Sequence, residues 1–172
     1  MFENLCKIAT AATFAIVLAA PATSLAQTSA PQTMVSEAGI IKVKSAYSLD
    51  ESIARMKQDI AAKGITFFLA VDQSKLAADA GIKLRPSTLL VFGNPALGSQ
   101  FITSNPQSGL DWPVRLLVQQ DDNGDVWAYY TDFAWIAHRY GITDREAQFK
   151  MASSVVDSIT STIRSRQSAM AQ

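Results

Sequence analysis

Hydrophobic and polar residues are arranged along the chain in short blocks whose periodicity changes from one block to the next. Five blocks predict strands, because their apolar residues either alternate with polar ones or form runs too short for a helix. They span 39–45, 65–71, 87–92, 114–120 and 126–130. The run at 65–71 is continuously apolar, so we predict a buried strand there. Asn123-Gly124, between the last two blocks, is typical of a hairpin turn.

Between these blocks, apolar residues recur at steps of three or four, which predicts amphipathic helices. The first helix begins at Ser48-Leu49-Asp50-Glu51, where Ser48 and Glu51 have the spacing of a capping box, and it ends at Gly64. Shorter helices are predicted from Gln73 to Ala80, from Pro95 to Ser104, and from Thr131 or Asp132 to Tyr140.

A long C-terminal helix is predicted from a second capping box, Thr143-Asp144-Arg145-Glu146, to about Arg166. Its predicted apolar stripe consists of Met151, Val155, Ile159 and Ile163, and the stripe packs either on its own domain or at a dimer interface. The chain has no repeat and no internal linker. We therefore predict one α+β domain, with an approximately five-stranded sheet covered by helices.

The first 26 residues predict a secretory signal peptide. Residues 8–20 form an uncharged apolar run after Lys7, too short to span a bilayer, and Ser24-Leu25-Ala26 fits a small-x-small cleavage site. Cleavage after Ala26 predicts a periplasmic or secreted protein without membrane attachment, and 27–38 is then a flexible polar leader. An uncleaved N-terminal anchor is the alternative.

Composition narrows the classes of function. Fifteen basic and 15 acidic residues give a formal net charge of zero, which argues against nucleic acid as a partner. The only cysteine, Cys6, leaves with the signal peptide, so cysteine nucleophiles and cysteine metal sites are excluded from the mature chain. His138 is the only histidine, and its helical position predicts the wetter flank. We therefore predict no cofactor and no transition metal.

Two loops resemble ligand-binding motifs without completing them. Gly93 and Gly98 have the spacing of a phosphate loop, but Ser99 stands where such a loop needs lysine. The acidic run 121–125 continues with Val126 and Asp132, where a calcium loop needs glycine and glutamate. Both segments are therefore interpreted as turns.

Aromatic residues are concentrated around the predicted hairpin. Strand alternation places Val126, Ala128 and Tyr130 on one face of the strand and Trp127 and Tyr129 on the other, so one of the two sets faces the core. Rings that remain exposed could stack on a flat ligand. The predicted core role is the simpler interpretation.

Three segments together resemble the bacterial family called domain of unknown function 302 (DUF302). They are Leu84-Arg85-Pro86-Ser87-Thr88 continuing to Phe92-Gly93-Asn94-Pro95, then Asp111-Trp112-Pro113, and the run Val126 to Tyr130 leading into Asp132. The resemblance covers a domain at about 39–142, with 143–172 as the C-terminal helix beyond it, and implies a compact α+β domain with no established reaction. Members of that family commonly carry histidine where this chain has Gln73 and Tyr140, so any metal or proton chemistry of those histidines would be lost here.

Three functions are compatible with these features. The first is a non-enzymatic domain that binds a small molecule or a protein. Its candidate ligand-binding residues are Asp72, Arg85, Asn94, Asp111, Arg115 and Tyr130. The second is a hydrolase or lyase with Asp72 and Asp111 as acid and base. The third is a structural protein that self-associates, for example as a homodimer.

Overall fold

The computed structural model describes residues 34–164 of the chain. The predicted signal peptide, residues 27–33 of the predicted leader and the end of the chain beyond 164 lie outside the described residues. The strands are β1 (Met34–Val35), β2 (Ile40–Lys44), β3 (Thr66–Asp72), β4 (Ser87–Gly93), β5 (Val114–Gln120) and β6 (Val126–Thr131). The helices are α1 (Leu49–Ala62), α2 (Gln73–Asp79), α3 (Pro95–Ser104), α4 (Phe133–Arg139) and α5 (Glu146–Ser161), with a 3₁₀ helix over Pro106–Leu110.

The strands form one antiparallel sheet in the order β1-β2-β6-β5-β4-β3. The α+β class and the five principal strands are as predicted, and β5 and β6 form the predicted hairpin. Gly124 in the hairpin loop has a φ of 82°, a left-handed conformation that glycine adopts without a steric penalty.

The core lies between the helices and one face of the sheet. Buried strand residues alternate along each central strand, as at Leu116 and Val118 of β5, and they share one hydrophobic cluster with helix residues such as Met56 and Ile159. The strand residues that point the other way do not belong to this cluster. In the described part of the chain, the helices therefore cover one face of the sheet and leave the other face open.

Local sequence signals place most helix termini correctly. The Ser48 hydroxyl accepts a hydrogen bond from the Glu51 amide, as the capping box predicts. Asp72 caps α2 through the Lys75 amide, and Asn94 caps α3 through the Ala96 and Leu97 amides. These caps matter for function because they fix the ends of β3 and β4 where the strands turn into helices.

Two predictions, one about the leader and one about β3, are wrong. Residues 34–38 are not part of a flexible leader, because Met34 and Val35 pair with β2 and the Gly39 amide closes the turn on the Ser36 carbonyl. The strand β3 is not buried, because it lies at the edge of the sheet, where Phe68 and Leu69 are exposed.

The predicted start and stripe of the C-terminal helix also need correction. Arg145 occupies the cap position of α5 and no side chain caps the helix, because the helix begins at Glu146 and Thr143 then lies two residues before the cap. Ile159 and Ile163 of the predicted stripe are buried, but Met151 is exposed, and the rest of the buried face consists of Phe149, Ala152, Val156 and Thr160. The helix thus packs on its own domain, rotated by about one position from the predicted stripe.

Candidate functional site

An apolar cavity opens between α3, α5 and the end of β4, and we call it the α3–α5 pocket. Its volume is about 320 Å³, which is at the small end of the range for ligand sites. It is lined by Lys63, Ile65, Phe92, Gly93, Asn94, Leu97, Gly98, Phe101, Trp112, Val114, Phe133, Met151, Ala152, Val155 and Val156. Lys63 is the only titratable residue among these described lining residues.

The indole of Trp112 forms one wall of the pocket because two glycines leave room for it. A Cβ built on Gly98 would lie 1.8 Å from the Trp112 Nε1 atom, and one built on Gly93 would lie 3.2 Å from it. Phe68 of the edge strand meets the same indole edge-to-face at 6.2 Å between ring centroids. The two glycines that resembled a phosphate loop thus accommodate an aromatic ring.

Asp111, beside Trp112, is the centre of a polar network. Its carboxylate is 5% exposed and accepts hydrogen bonds from Arg115 Nη2 at 2.7 Å, Arg139 Nη1 at 3.3 Å and the Tyr140 hydroxyl at 2.6 Å. The hydrogen bond to Asp111 raises the pKa of Tyr140, because ionisation of the phenol would remove the donor. Every described partner donates to Asp111, so the network is fully formed without a ligand.

The Asp111 network adjoins the pocket through two shared side chains. Val114 and Phe133 line the pocket and also line a small gap that is bordered by Asp111 and Arg115. The network therefore holds the segment that carries Trp112 in place behind the pocket wall. It supports the site rather than facing into it.

The six candidate residues do not form one cleft. Asp111 and Arg115 are in contact, and Asn94 lies at the rim of the pocket while its carboxamide oxygen caps α3. Arg85 pairs with Asp122 of the hairpin loop, far from the pocket in the sheet. We find that only Asn94 of the six lines the α3–α5 pocket.

Asp72 and Tyr130 have structural surroundings. The hydroxyl of Ser74 and then the Lys75 amide lower the pKa of Asp72 by donating to its ionised carboxylate. Tyr130 is 5% exposed, and burial, followed by the negative charge of Asp157, raises its pKa to about 12. Neither side chain is positioned like a residue that meets a ligand.

The strand register separates the two carboxylates of the proposed acid–base pair. Asp72 pairs with Thr88 of β4, whereas Val114, which borders the Asp111 gap, pairs with Phe92. Four steps along the extended strand separate those partners, about 13 Å. Paired carboxylates act at separations below about 10 Å, so this register does not favour the two-acid mechanism, which stays a prediction.

The same register separates the positions at which the resembling family carries histidine. Gln73 accepts a hydrogen bond from Ser87 at the start of β4, and Tyr140 donates to Asp111 near the other end of the sheet. His138 is exposed on α4. Within residues 34–164, no group of three or more His, Cys, Asp or Glu side chains is placed to hold a metal ion.

Sequence reasoning missed the residues that build the pocket. The sequence places Trp112 in a segment of the family resemblance and Gly98 in an incomplete phosphate loop, and neither pattern predicts a pocket. A usable signal was present, since Gly98 stands in the middle of a helix, where glycine costs about 1 kcal/mol relative to alanine. Such a glycine often marks the close approach of another group.

Comparison with known proteins gives one family. The model of the family described as Domain of unknown function DUF302 matches residues 41–163. The match starts in β2 and ends just after α5, so it extends beyond the predicted limit at residue 142 and includes the C-terminal helix.

Three curated relatives from Brucella are 34% identical to the chain over 112 residues, which is 65% of this chain. They are the proteins named fluoride-specific ion channel FluC 1 of Brucella suis and of Brucella abortus, and fluoride-specific ion channel FluC 2 of Brucella melitensis. The aligned region makes up 44% of the first and 42% of the other two. The chain thus spans less than half the length of these relatives. No helix among residues 34–164 has the length and apolar character needed to cross a membrane.

A solved structure shares the fold. The crystal structure of an uncharacterized conserved DUF302 protein from Bacillus stearothermophilus superposes with a TM-score of 0.67 at 14% sequence identity. The superposition covers 73% of this chain and 98% of that one. At this identity the similarity is evidence for the fold alone.

Proposed function

Because the chain belongs to the DUF302 family, which is defined without an assigned activity, its function has to be inferred from its own geometry. We propose that it is a secreted or periplasmic, non-enzymatic domain that binds a small, largely apolar molecule in the α3–α5 pocket. The observation that carries this proposal is the pocket itself, with Trp112 seated against Gly93 and Gly98 as one wall.

The lining of the pocket favours an apolar ligand body. Phe92 and Phe101 are buried at its base, and aliphatic residues of α5 form the opposite side. Each methylene group transferred from water into such a lining contributes about 0.8 kcal/mol. A short alkyl chain or a small ring fits this chemistry better than a sugar or a nucleotide, which would need several polar partners.

The charge at Lys63 decides whether the polar end of the ligand should be charged or neutral. The Lys63 ammonium forms an ion pair with Asp59 on the same helix, so its charge is already compensated. A neutral polar head group therefore needs no new charge partner there. We expect an alcohol to bind at least as well as the carboxylate of the same length.

The described lining offers little for acid–base catalysis, which supports a binding role. General acid–base catalysis needs a titratable group within hydrogen-bond reach of the reacting atoms. Among the described residues, Lys63 is the only titratable one that lines the pocket, and its ammonium is paired with Asp59. The Asp111 carboxylate is shielded from the pocket by Val114 and Phe133 and is saturated with donors.

Binding can be tested with 1-octanol and octanoate by calorimetry and by the shift in thermal unfolding. Val155→Phe would fill the pocket from α5 and is expected to weaken binding by about tenfold or more, equivalent to about 1.4 kcal/mol. Ala147→Phe adds the same ring on an exposed part of α5 and is the matched control. Equal affinities of the parent and of Val155→Phe, or no binding of either probe, would reject the pocket as the ligand site.

The proposed location has its own test. Expression of the whole chain in a bacterial host, followed by mass spectrometry of the periplasmic fraction, is expected to give a mature chain that begins at Gln27. An intact Met1 in the membrane fraction would support the uncleaved anchor instead.

The relatives named fluoride-specific ion channels favour a second candidate function, a domain that responds to fluoride. Arg115 and Arg139 beside Asp111 offer guanidinium donors of the kind that contact anions. A higher midpoint of thermal unfolding in sodium fluoride than in sodium chloride of equal ionic strength, lost in Arg139→Gln, would support it. Equal midpoints in the two salts would reject it.

A further inference from the structure

The open face of the sheet is a second apolar surface, distinct from the α3–α5 pocket. We define the open face by the outward side chains of the five long strands. They are Ile40, Lys42, Lys44, Leu69, Val71, Leu89, Val91, Arg115, Leu117, Gln119, Trp127, Tyr129 and Thr131. None of these side chains belongs to the core cluster of the described residues, and α2 contacts this side of the sheet at Ser87, at the start of β4.

Cross-strand pairing arranges the middle of this face as one row. Val71 pairs with Leu89, Leu89 with Leu117, Leu117 with Tyr129, and Tyr129 with Lys42. Four neighbouring strands thus contribute apolar side chains side by side. Leu117 is the central member, because β5 is the middle one of the five long strands.

A shallow groove runs across the open face. Its volume is about 310 Å³, and it lies between Leu89, Leu117, Tyr129 and Ile40. A surface of this kind is expensive to leave in water, since each Å² of apolar area costs about 25 cal/mol. Contiguous apolar patches of several hundred Å² usually mark interaction sites.

The charges on the open face are compensated within the chain. Lys44 pairs with Asp125 at 2.6 Å, and Arg115 pairs with Asp111 at 2.7 Å. The Lys42 ammonium lies 3.7 Å from the centroid of the Trp127 ring. A second surface can therefore approach without having to supply acidic partners, which makes an identical surface a suitable one.

The area agrees with a pair of copies. Five strands spaced by about 4.8 Å, with about six residues each at 3.4 Å, give a face of roughly 500 Å². Two such faces would bury about 1,000 Å² of flat area, which lies at the lower limit for a specific interface. Association in the micromolar range is the corresponding expectation.

We propose that the open face is the interface of a homodimer in which two sheets pack face to face around a two-fold axis that passes near Leu117. Isologous symmetry brings the central residue of one face against the same residue of its partner. The two inner faces would then form a sandwich about 10 Å thick, and side chains of each copy would fill the groove of the other.

Charged substitutions at the central residue test this arrangement. Leu117→Lys or Leu117→Glu alone would place like charges in contact at the axis, so each variant is expected to sediment as a monomer. An equimolar mixture of the two variants is expected to form a heterodimer, because opposite charges then meet. Leu110→Lys, on an exposed leucine outside the sheet, is the control and is expected to dimerise like the parent.

Sedimentation velocity of the whole purified chain over a micromolar concentration series gives the readout, with far-UV circular dichroism as the check on folding. Leu89→Lys, on the neighbouring strand, is the second variant should Leu117→Lys fail to fold. A parent chain that stays monomeric throughout the series overturns the proposal. Leu117 variants that dimerise like the parent also overturn it, because the contact would then lie elsewhere, at the edge strand or α5. A mixture of the two variants that remains monomeric overturns it as well.

Discussion

A single methyl group added at Gly98 would occupy space that the Trp112 indole now fills. The added Cβ would lie 1.8 Å from Nε1, 2.0 Å from Cε2 and 2.3 Å from Cδ1 of that ring. Real Cβ contacts are never this short, so the ring or the helix must move. The expected consequences are a loss of stability and a displaced pocket wall.

Two opposing effects set the magnitude of the Gly98→Ala change. Alanine in a helix interior is favoured over glycine by about 0.8–1 kcal/mol. Overpacking against a ring costs about 1–3 kcal/mol. The free energy of unfolding should therefore fall by about 1 kcal/mol, although the local helix preference alone would raise it.

A double-mutant cycle separates the two effects. In a Trp112→Leu background the indole is absent, so Gly98→Ala should raise the free energy of unfolding by about 1 kcal/mol. The coupling between positions 98 and 112 should then be about 2 kcal/mol. Gly109→Ala, whose Cβ would lie 3.8 Å from the Ile102 Cδ1 atom, is the control and should change stability by less than about 0.5 kcal/mol.

Urea unfolding followed by far-UV circular dichroism measures all these variants with one probe that does not depend on Trp112. Octanol binding to Gly98→Ala should weaken together with its stability, because the displaced indole narrows the pocket. If Gly98→Ala stabilises the parent and the Trp112→Leu chain by the same amount, the close packing of Trp112 on α3 is refuted.

Three further outcomes follow from named contacts. Asp111→Asn should lower the free energy of unfolding by about 2 kcal/mol in urea titrations, since it removes the negative charge and replaces one accepting oxygen with an NH2 donor among two guanidinium groups and a phenol; an unchanged midpoint would contradict the network. Because Asp111 raises the pKa of Tyr140 in the folded chain, their hydrogen bond stabilises the fold below pH 10, and this contribution is lost as the pH rises through the raised pKa. Tyrosinate absorbance should show a lower Tyr140 pKa in Asp111→Asn. Ser108 is 2% exposed and its hydroxyl has no partner among the described residues, so Ser108→Ala should leave the thermal midpoint unchanged or raise it, whereas a clear decrease would indicate a missing hydrogen bond.

Most element boundaries were predictable because their signals are local. Ser48, Asp72 and Asn94 each accept a hydrogen bond from an amide two or three residues further on, so their role can be read within one helical turn. Asn123-Gly124 likewise encodes its own hairpin. The second capping box failed because α5 begins at Glu146, two residues later than the box requires, while Asp144 accepts a hydrogen bond from the distant Ser104.

The candidate site was less predictable because it depends on contacts between distant segments. Polar residues at strand ends were chosen as ligand contacts, yet Asp72 caps a helix and Arg85 pairs with Asp122 at the hairpin. Val155 was predicted in a packing stripe, because an apolar side chain has the same pattern in sequence whether it faces a core or a cavity.

Residue order alone was sufficient for the family resemblance, the α+β class, the hairpin and nearly all the helix ends, since each depends on neighbours within a few positions. The three-dimensional arrangement decided that β3 is an edge strand and that Asp72 and Asp111 lie at opposite ends of the sheet. It also decided that Trp112 fits against two glycines to form a pocket wall. Strand order and side-chain packing bring together residues far apart in the chain, and no local period or cap records which of them meet.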